Sequence, residues 1–267
     1  MRPLVLAALL ASALAAPAFA QTSAPPASPP LPHRQGLSME MPQVQEDAAL
    51  QAAIASTTRP EADRARDSQR HPFETLTFWG LQPSLTVVEI EPGRAGWWRN
   101  ILEPYAAATG GRYVAVSKPT EGMGVEDGTA DMVVVARAFH NWSRDGRADP
   151  YLAAFFKALK PGGVLAVEQH RSVEGLNVTE VAPTGYVPES YVIHAARRAG
   201  FELEARSELN ANAKDDRDHP FGVWTLAPVR TSERAGRTLT AEERAAFDAI
   251  GESDRMTLRF RKPETAN

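Results

Sequence analysis

The sequence predicts an α/β fold, a mostly parallel sheet with helices on both faces. Three observations carry that prediction. A short β-branched run with no polar face at 85–90 reads as a strand buried on both sides, 131–136 as another buried strand, and 113–116 and 164–168 as further strands. Helical stretches lie between them, over 97–108, 151–159 and 190–199, and strands alternating with helices imply parallel pairing through crossover connections. The final run, Met256-Thr257-Leu258-Arg259-Phe260-Arg261, alternates apolar and mostly basic residues. It suits an antiparallel strand beside its predecessor at 201–208.

Composition sets the outer limits. The 267 residues are 43% hydrophobic and 23% charged, which excludes a wholly disordered chain or a fibre. Lys and Arg number 29 against 33 Asp and Glu, a formal net charge of -4, so no broad basic surface is available for nucleic-acid phosphates. Cysteine is absent, and with it disulfides, thiolate nucleophiles and Cys-ligated metal sites.

The elements follow in order. Residues 1–20 read as a cleaved export signal: Arg2, an uncharged apolar run over 4–16, and the cleavage pattern Ala18-Phe19-Ala20. Pro17 interrupts the run before it could span a bilayer, so a periplasmic or secreted protein with no membrane span is expected. Residues 21–42, with Pro25, Pro26, Pro29, Pro30, Pro32 and Pro42 among Ser, Thr and Ala, read as a disordered linker. The domain then covers 43–263 and leaves a tail at 264–267. Its first part, 43–70, reads as two helices divided at Pro60. Lys160-Pro161-Gly162-Gly163 reads as a turn into the strand at 164–168, Gly200 as a left-handed helix cap, and 210–220 as a polar loop.

The most informative stretch is Val87-Val88-Glu89-Ile90-Glu91-Pro92-Gly93-Arg94-Ala95-Gly96, a buried strand running into a glycine-containing turn and then a helix. In an open parallel sheet, ligands lie beyond the carboxyl ends of the strands, where glycines let backbone approach them. With Glu89 at the strand end, Lys160-Pro161-Gly162-Gly163 before a later strand and Ala199-Gly200-Phe201 before the next, the order resembles the class I S-adenosylmethionine-dependent methyltransferases. More narrowly it resembles a family of predicted bacterial methyltransferases that often carry export signals. Arg66-Asp67, Pro72, Trp97-Trp98, Phe139-His140-Asn141-Trp142, Gly222-Val223-Trp224-Thr225-Leu226 and Ser253-Asp254-Arg255-Met256 through Lys262-Pro263 also match.

The resemblance covers 66–263 and implies a Rossmann-like methyltransferase fold: a seven-stranded sheet, the last strand antiparallel, with a cofactor pocket over 89–96. It implies that Pro92, Gly93 and Gly96 hold S-adenosylmethionine's methionine part and that Glu89 orients the turn or reaches the cofactor's ammonium group. The sequence departs from the family in three places. Ser117-Lys118-Pro119 follows the second strand where a ribose-binding acid is usual, leaving Glu121 as the nearest substitute. Glu91 and Arg94 replace residues of the glycine-rich turn, and the stretch from Glu89 to Asp131 is too short for a full set of units, so a shortened sheet edge is expected.

Other candidates lie outside that turn. His140, just past a strand end, is a candidate general base, with Asn141 to orient it or the substrate; the plainer reading is a loop histidine packed above Trp142. The six histidines show no metal-ligand spacing, so no metal site is expected. Residues 214–219 (Lys-Asp-Asp-Arg-Asp-His) read as a solvated loop rather than a cation site. Trp97, Trp98, Trp142 and Trp224 serve either an aromatic pocket or the core. Neither G-x-S-x-G nor G-x-G-x-x-G is present, which disfavours a hydrolase elbow and a nicotinamide site. The expected activity is methyl transfer from S-adenosylmethionine to a small-molecule acceptor. The alternative is a catalytically degenerate methyltransferase-like binding or accessory protein of the periplasm.

Overall fold

The computed structural model describes residues 47–264; the expected leader, the proline-rich linker and the end of the tail lie outside them. The chain enters through four short helices, α1 (Ala48–Ala55), α2 (Glu61–Arg64), α3 (Asp67–Arg70) and α4 (Pro72–Trp79). Two helices were expected over 43–70. The first helix ends at Ala55 and Pro60 stands at the N-cap of α2, but the second segment is broken again at 65–66, and His71 adopts a left-handed φ of 43° before Pro72 opens α4. Then follow β1 (Thr86–Ile90), α5 (Arg99–Thr109), β2 (Arg112–Val116), β3 (Ala130–Ala136), α6 (Phe139–Ser143), α7 (Ala148–Ala158) and β4 (Leu159–His170). The C-terminal part contains α8 (Val178–Val181), α9 (Glu189–Arg198), β5 (Glu202–Ser207), β6 (Pro220–Val223), the small hairpin β7 (Glu233–Arg234) and β8 (Arg237–Thr238), α10 (Ala241–Ile250) and β9 (Arg255–Arg261).

The main sheet has six strands in the order β2-β1-β3-β4-β9-β5, not the seven implied by the resemblance. The missing strand belongs to the edge beyond β2, where the short Glu89-to-Asp131 stretch leaves no room for another helix and strand. Strands β2, β1, β3 and β4 pair in parallel, and β9 runs antiparallel to both β4 and β5. The expected mostly parallel sheet with an antiparallel last strand and a short edge is therefore present.

Alternation along the strands explains their uninterrupted apolar sequences. Val88, Ile90, Val133, Val135, Leu165 and Val167 pack against Leu152 and Phe155 of α7 and Val192 and Ala195 of α9. Val87, Met132, Val134, Val164 and Ala166 face the other way, toward Leu50, Leu76, Trp79, Ile101 and Leu102 of α1, α4 and α5. Strand β9 obeys the same rule with charged residues. Met256, Leu258 and Phe260 join the first cluster; on the opposite face Thr257 accepts from Asn210 at 3.1 Å and Arg259 donates to the Phe78 carbonyl, so that face is covered rather than solvated.

One expectation about loops changes. The Lys160-Pro161-Gly162-Gly163 segment is part of β4, forming an irregularity where the register with β3 shifts between Ala130/Leu159 and Met132/Val164. The 210–220 segment is the expected polar loop, largely exposed, but it is anchored by the buried Asn210, Asp215 and His219. Asp215 is 1% exposed, and it accepts from the Tyr186 hydroxyl, the His219 ring and the backbone amides of Arg217 and Asp254 at 2.7–3.1 Å. No helix among the described residues is long and apolar enough to cross a membrane.

Glycines separate local strain from collision. Gly222 (φ 59°) lies where a Cβ would run into the Thr184 carbonyl, whereas Gly146 (φ 75°) has open space around it. Both alanine substitutions carry a left-handed cost of about 1–2 kcal/mol. Gly222→Ala adds overpacking of about 1–3 kcal/mol and is expected to lower the thermal midpoint clearly more than Gly146→Ala; equal losses by calorimetry would contradict this account.

Candidate functional site

A cavity of about 330 Å³ opens at the carboxyl ends of β1, β3 and β4, the place where this architecture binds ligands. Pro92, Gly93, Arg94, Ala95, Gly96 and Trp97 form one side, Arg137, His140 and His170 follow β3 and end β4, and residues 223–229 supply Val223, Trp224, Ala227, Pro228 and Val229. Arg66 and Arg70 complete the lining from the N-terminal helices.

The turn after β1 is held open by its own residues. Gly93 (φ 68°) has no atom within 4 Å of the point a Cβ would occupy. Glu91 takes a left-handed φ of 49°, a conformation costing a non-glycine residue about 1–2 kcal/mol. Two hydrogen bonds offset that cost: its amide donates to the Val116 carbonyl at 2.8 Å, and its carboxylate accepts from Trp142 Nε1 at 2.9 Å. A glutamate thus occupies a position usually given to glycine because its side chain ties the β1 turn to the segment after β3. At the end of β3, Arg137 is also left-handed (φ 55°), its amide donating to the Glu168 carbonyl at 2.7 Å.

Behind the lining lies an ionic network. Glu252 accepts from Arg66 (2.8 Å), Arg70 (2.8 Å) and Arg255 (2.6 Å), and Glu168, fully buried on β4, pairs with Arg255 at 2.7 Å and accepts from Trp98 Nε1 at 3.2 Å. Arg66 also lies 3.8 Å from Asp63, and Arg137 3.9 Å from Glu168. The carboxylates stand behind the arginines; among the described residues no Asp or Glu lines the cavity itself.

Both histidines of the cavity are neutral at pH 7. Burial pushes His140 down to about 4, against a weak contact from Gln169 and with Arg144 repelling the charged ring. Burial also holds His170 well below its usual range, helped by His140, Arg137 and Arg255. Gln169 Nε2 lies 2.8 Å from the Gly185 carbonyl but 3.5 Å from His140 Nδ1, too long to fix the tautomer. His170 Nδ1 and Ser253 Oγ are 2.5 Å apart.

The residues singled out from sequence separate into two groups. Pro92, Gly93, Gly96 and His140 meet at the cavity. Glu89 does not line it: its carboxyl is buried on β1 and accepts from the Tyr113 hydroxyl at 2.7 Å. Asn141 is half-buried outside the lining. Glu121 is exposed and paired with Lys118 at 2.9 Å, so the substitute ribose acid is not brought to the cavity. Trp97 and Trp224 line it, whereas Trp98 and Trp142 are core residues. Asp215, Asp216 and His219 offer ligand atoms within 4.8 Å of one another, but Asp215 already accepts from four groups and ties the loop to Tyr186 and Asp254. Arg70, Arg137 and His170 were not anticipated, and Arg66 and 222–226 were noted only as bearers of the family resemblance.

No family model matches the chain, and no curated protein matches its sequence. Solved structures give looser likenesses. One is a protein assigned as a sarcosine dimethylglycine methyltransferase from Galdieria sulphuraria: 15% identity, 86% of this chain and 96% of that one covered, TM-score 0.48. Another is the [4+2]-cyclase SpnF, with 15% identity, 74% and 81% covered, and TM-score 0.45. A third is the geranyl diphosphate C-methyltransferase of Streptomyces coelicolor A3(2), with 13% identity, 83% and 86% covered, and TM-score 0.43. None reaches 0.5, and a shared fold does not fix a reaction.

Glu89 generates a pH prediction. Burial raises its carboxyl to about 7 from 4.5, outweighing the Tyr113 hydrogen bond and the fields of Arg137 and Arg99. The folded chain therefore holds this proton more tightly than the unfolded chain. Its contribution is full below about pH 4.5 and is lost as pH rises through about 7, a change of roughly 3 kcal/mol. Glu89→Gln, which keeps an acceptor for Tyr113, is expected to remove that decline from thermal unfolding between about pH 5 and pH 8; an unchanged slope would show that Glu89 is ionised in the fold.

Proposed function

We propose that this protein is an S-adenosylmethionine-dependent methyltransferase acting on a small-molecule acceptor in the cavity at the ends of β1, β3 and β4. The observation that carries the reading is the 91–96 turn: it follows the first sheet strand, is held in left-handed geometry at Glu91, Gly93 and Gly96, and opens onto that cavity. The free space at Gly93 fits a bound group approaching the backbone, and Pro92, Gly93 and Gly96 would hold the cofactor. When bound, S-adenosylmethionine would supply an electrophilic methyl group. The chain's own part is alignment and exclusion of water, which supply much of the rate in such transfers. His140, uncharged and in the lining, takes a proton from the acceptor or accepts its hydrogen bond. Export after cleavage at Ala20 belongs to this proposal and is supported by the leader pattern alone.

A second reading, a binding or accessory protein on the same fold, is favoured by the position of Glu121. The nearest acid after β2 is exposed, paired with Lys118 and absent from the described lining of the cavity, so it is not placed to take the ribose hydroxyls. Calorimetric titration with S-adenosylmethionine separates the two: binding is expected, and absence of heat at millimolar cofactor would leave only the second. Gly93→Ala should stay folded, since its Cβ enters open space, yet weaken the cofactor by roughly tenfold, about 1.4 kcal/mol.

Methyl transfer, once an acceptor is in hand, should be lost in His140→Ala. In the wild type, the His140 contribution should be flat above about pH 5 and fall as pH drops through about 4. A midpoint at the ordinary histidine value, about 6.5, would show that His140 is solvated.

A further inference from the structure

The charge of the cavity points beyond methyl transfer as such. Four arginines line it, Arg66 and Arg70 from the N-terminal helices, Arg94 from the β1 turn and Arg137 from the end of β3. His140 and His170 add no charge near neutrality, and no acid among the described residues shares the lining. Glu252 is reached by Arg70 only through Nε, at 2.8 and 3.0 Å. Arg70 itself is 2% exposed, and its Nη1 is sealed from solvent with no hydrogen-bond partner; Nη1 of Arg137 makes no hydrogen bond either, but faces Glu168 at 3.9 Å.

A cavity walled by arginines, with no acid among its described lining residues, is electropositive. The group that suits it best is a carboxylate or phosphate, whose oxygens match the arginine fork. The lining also includes Val223, Trp224, Pro228 and the exposed Val229, which suit an apolar body rather than a second charge.

We infer that the cavity takes an anionic small molecule, its carboxylate or phosphate held by the partly accessible Arg66 and Arg137 and its apolar body placed against Trp224 and Pro228. This names the acceptor class of the proposed reaction. It rests on that reading for the chemistry, though not for the binding. Arg94, exposed on the turn and engaging no carboxylate, draws the anion in.

Benzoate and phenyl phosphate are the probes, with benzamide as the uncharged control, each titrated calorimetrically into the purified chain with and without S-adenosylmethionine. At least one anion should bind and benzamide should not; which anion binds tells carboxylate from phosphate. Arg137→Gln should weaken the anion by about tenfold with S-adenosylmethionine affinity unchanged. Arg137 also touches the buried network, so Arg94→Gln, free of it, provides the second variant and should weaken the anion more at low salt than at high salt.

No anion binding, with cofactor present or absent, overturns the inference. So does strict competition between anion and S-adenosylmethionine, because the arginines would then serve the cofactor's own carboxylate. Anion binding by a chain that binds no S-adenosylmethionine upholds the inference and removes the methyltransferase reading instead.

Discussion

Four consecutive residues, Glu252-Ser253-Asp254-Arg255, hold the site together. Glu252 gathers Arg66, Arg70 and Arg255; Ser253 meets His170; Asp254 accepts from Arg171, Arg217 and the Asn212 amide; Arg255 reaches Glu168 in the middle of the sheet. All four are at least 95% buried. Removing one partner of a buried pair leaves an uncompensated charge and costs about 3–5 kcal/mol. Each contact also fixes a different segment: the helices before β1, the end of β4 and the loop before β6. The cavity wall exists because one short segment holds them in register.

The sheet was legible from its residues because each central strand is buried on both faces and carries an apolar run, unbroken at 132–135 and 164–167 and interrupted only by the buried Glu89 at 87–90. The turn at 91–96 was legible from its glycines. The ionic wall was not. Arg66, Arg70 and Arg137 lie far apart in sequence, and nothing local marks an arginine whose partner is Glu252. In the 214–219 loop the alternating charge correctly indicated solvent for Lys214, Asp216 and Asp218, but not the burial of Asp215, enclosed by donors from Tyr186, Arg217, His219 and Asp254. Helix α10 has a readable start, the capping box of Thr240 and Glu243, yet it buries no residue fully and joins neither apolar cluster of the core.

The substitutions that set this turn apart from a glycine-rich loop have a shared structural meaning. Glu91 spends its carboxylate on Trp142 rather than on a ligand. Glu89, which a sequence reading aims at the cofactor, spends its own on Tyr113. Both acids near the end of β1 are thus committed to the scaffold, and the cavity is left to cations and neutral rings. Its electrostatic sign follows from where the acids are used, not from an excess of arginine in the chain, whose formal net charge is -4.

The placement of β9 has a consequence for how the chain assembles. The strand made last fills the gap between β4 and β5, pairing with both, so the sheet stays in two pieces until residue 261 is available. Until then β4 and β5 each present an open edge of unpaired amides and carbonyls, the surface most prone to pairing with another chain. A chain cut short before β9 would lose its interior seam rather than a border strand. The hazard lies in self-association during synthesis, and it ends only when β9 takes its place between β4 and β5.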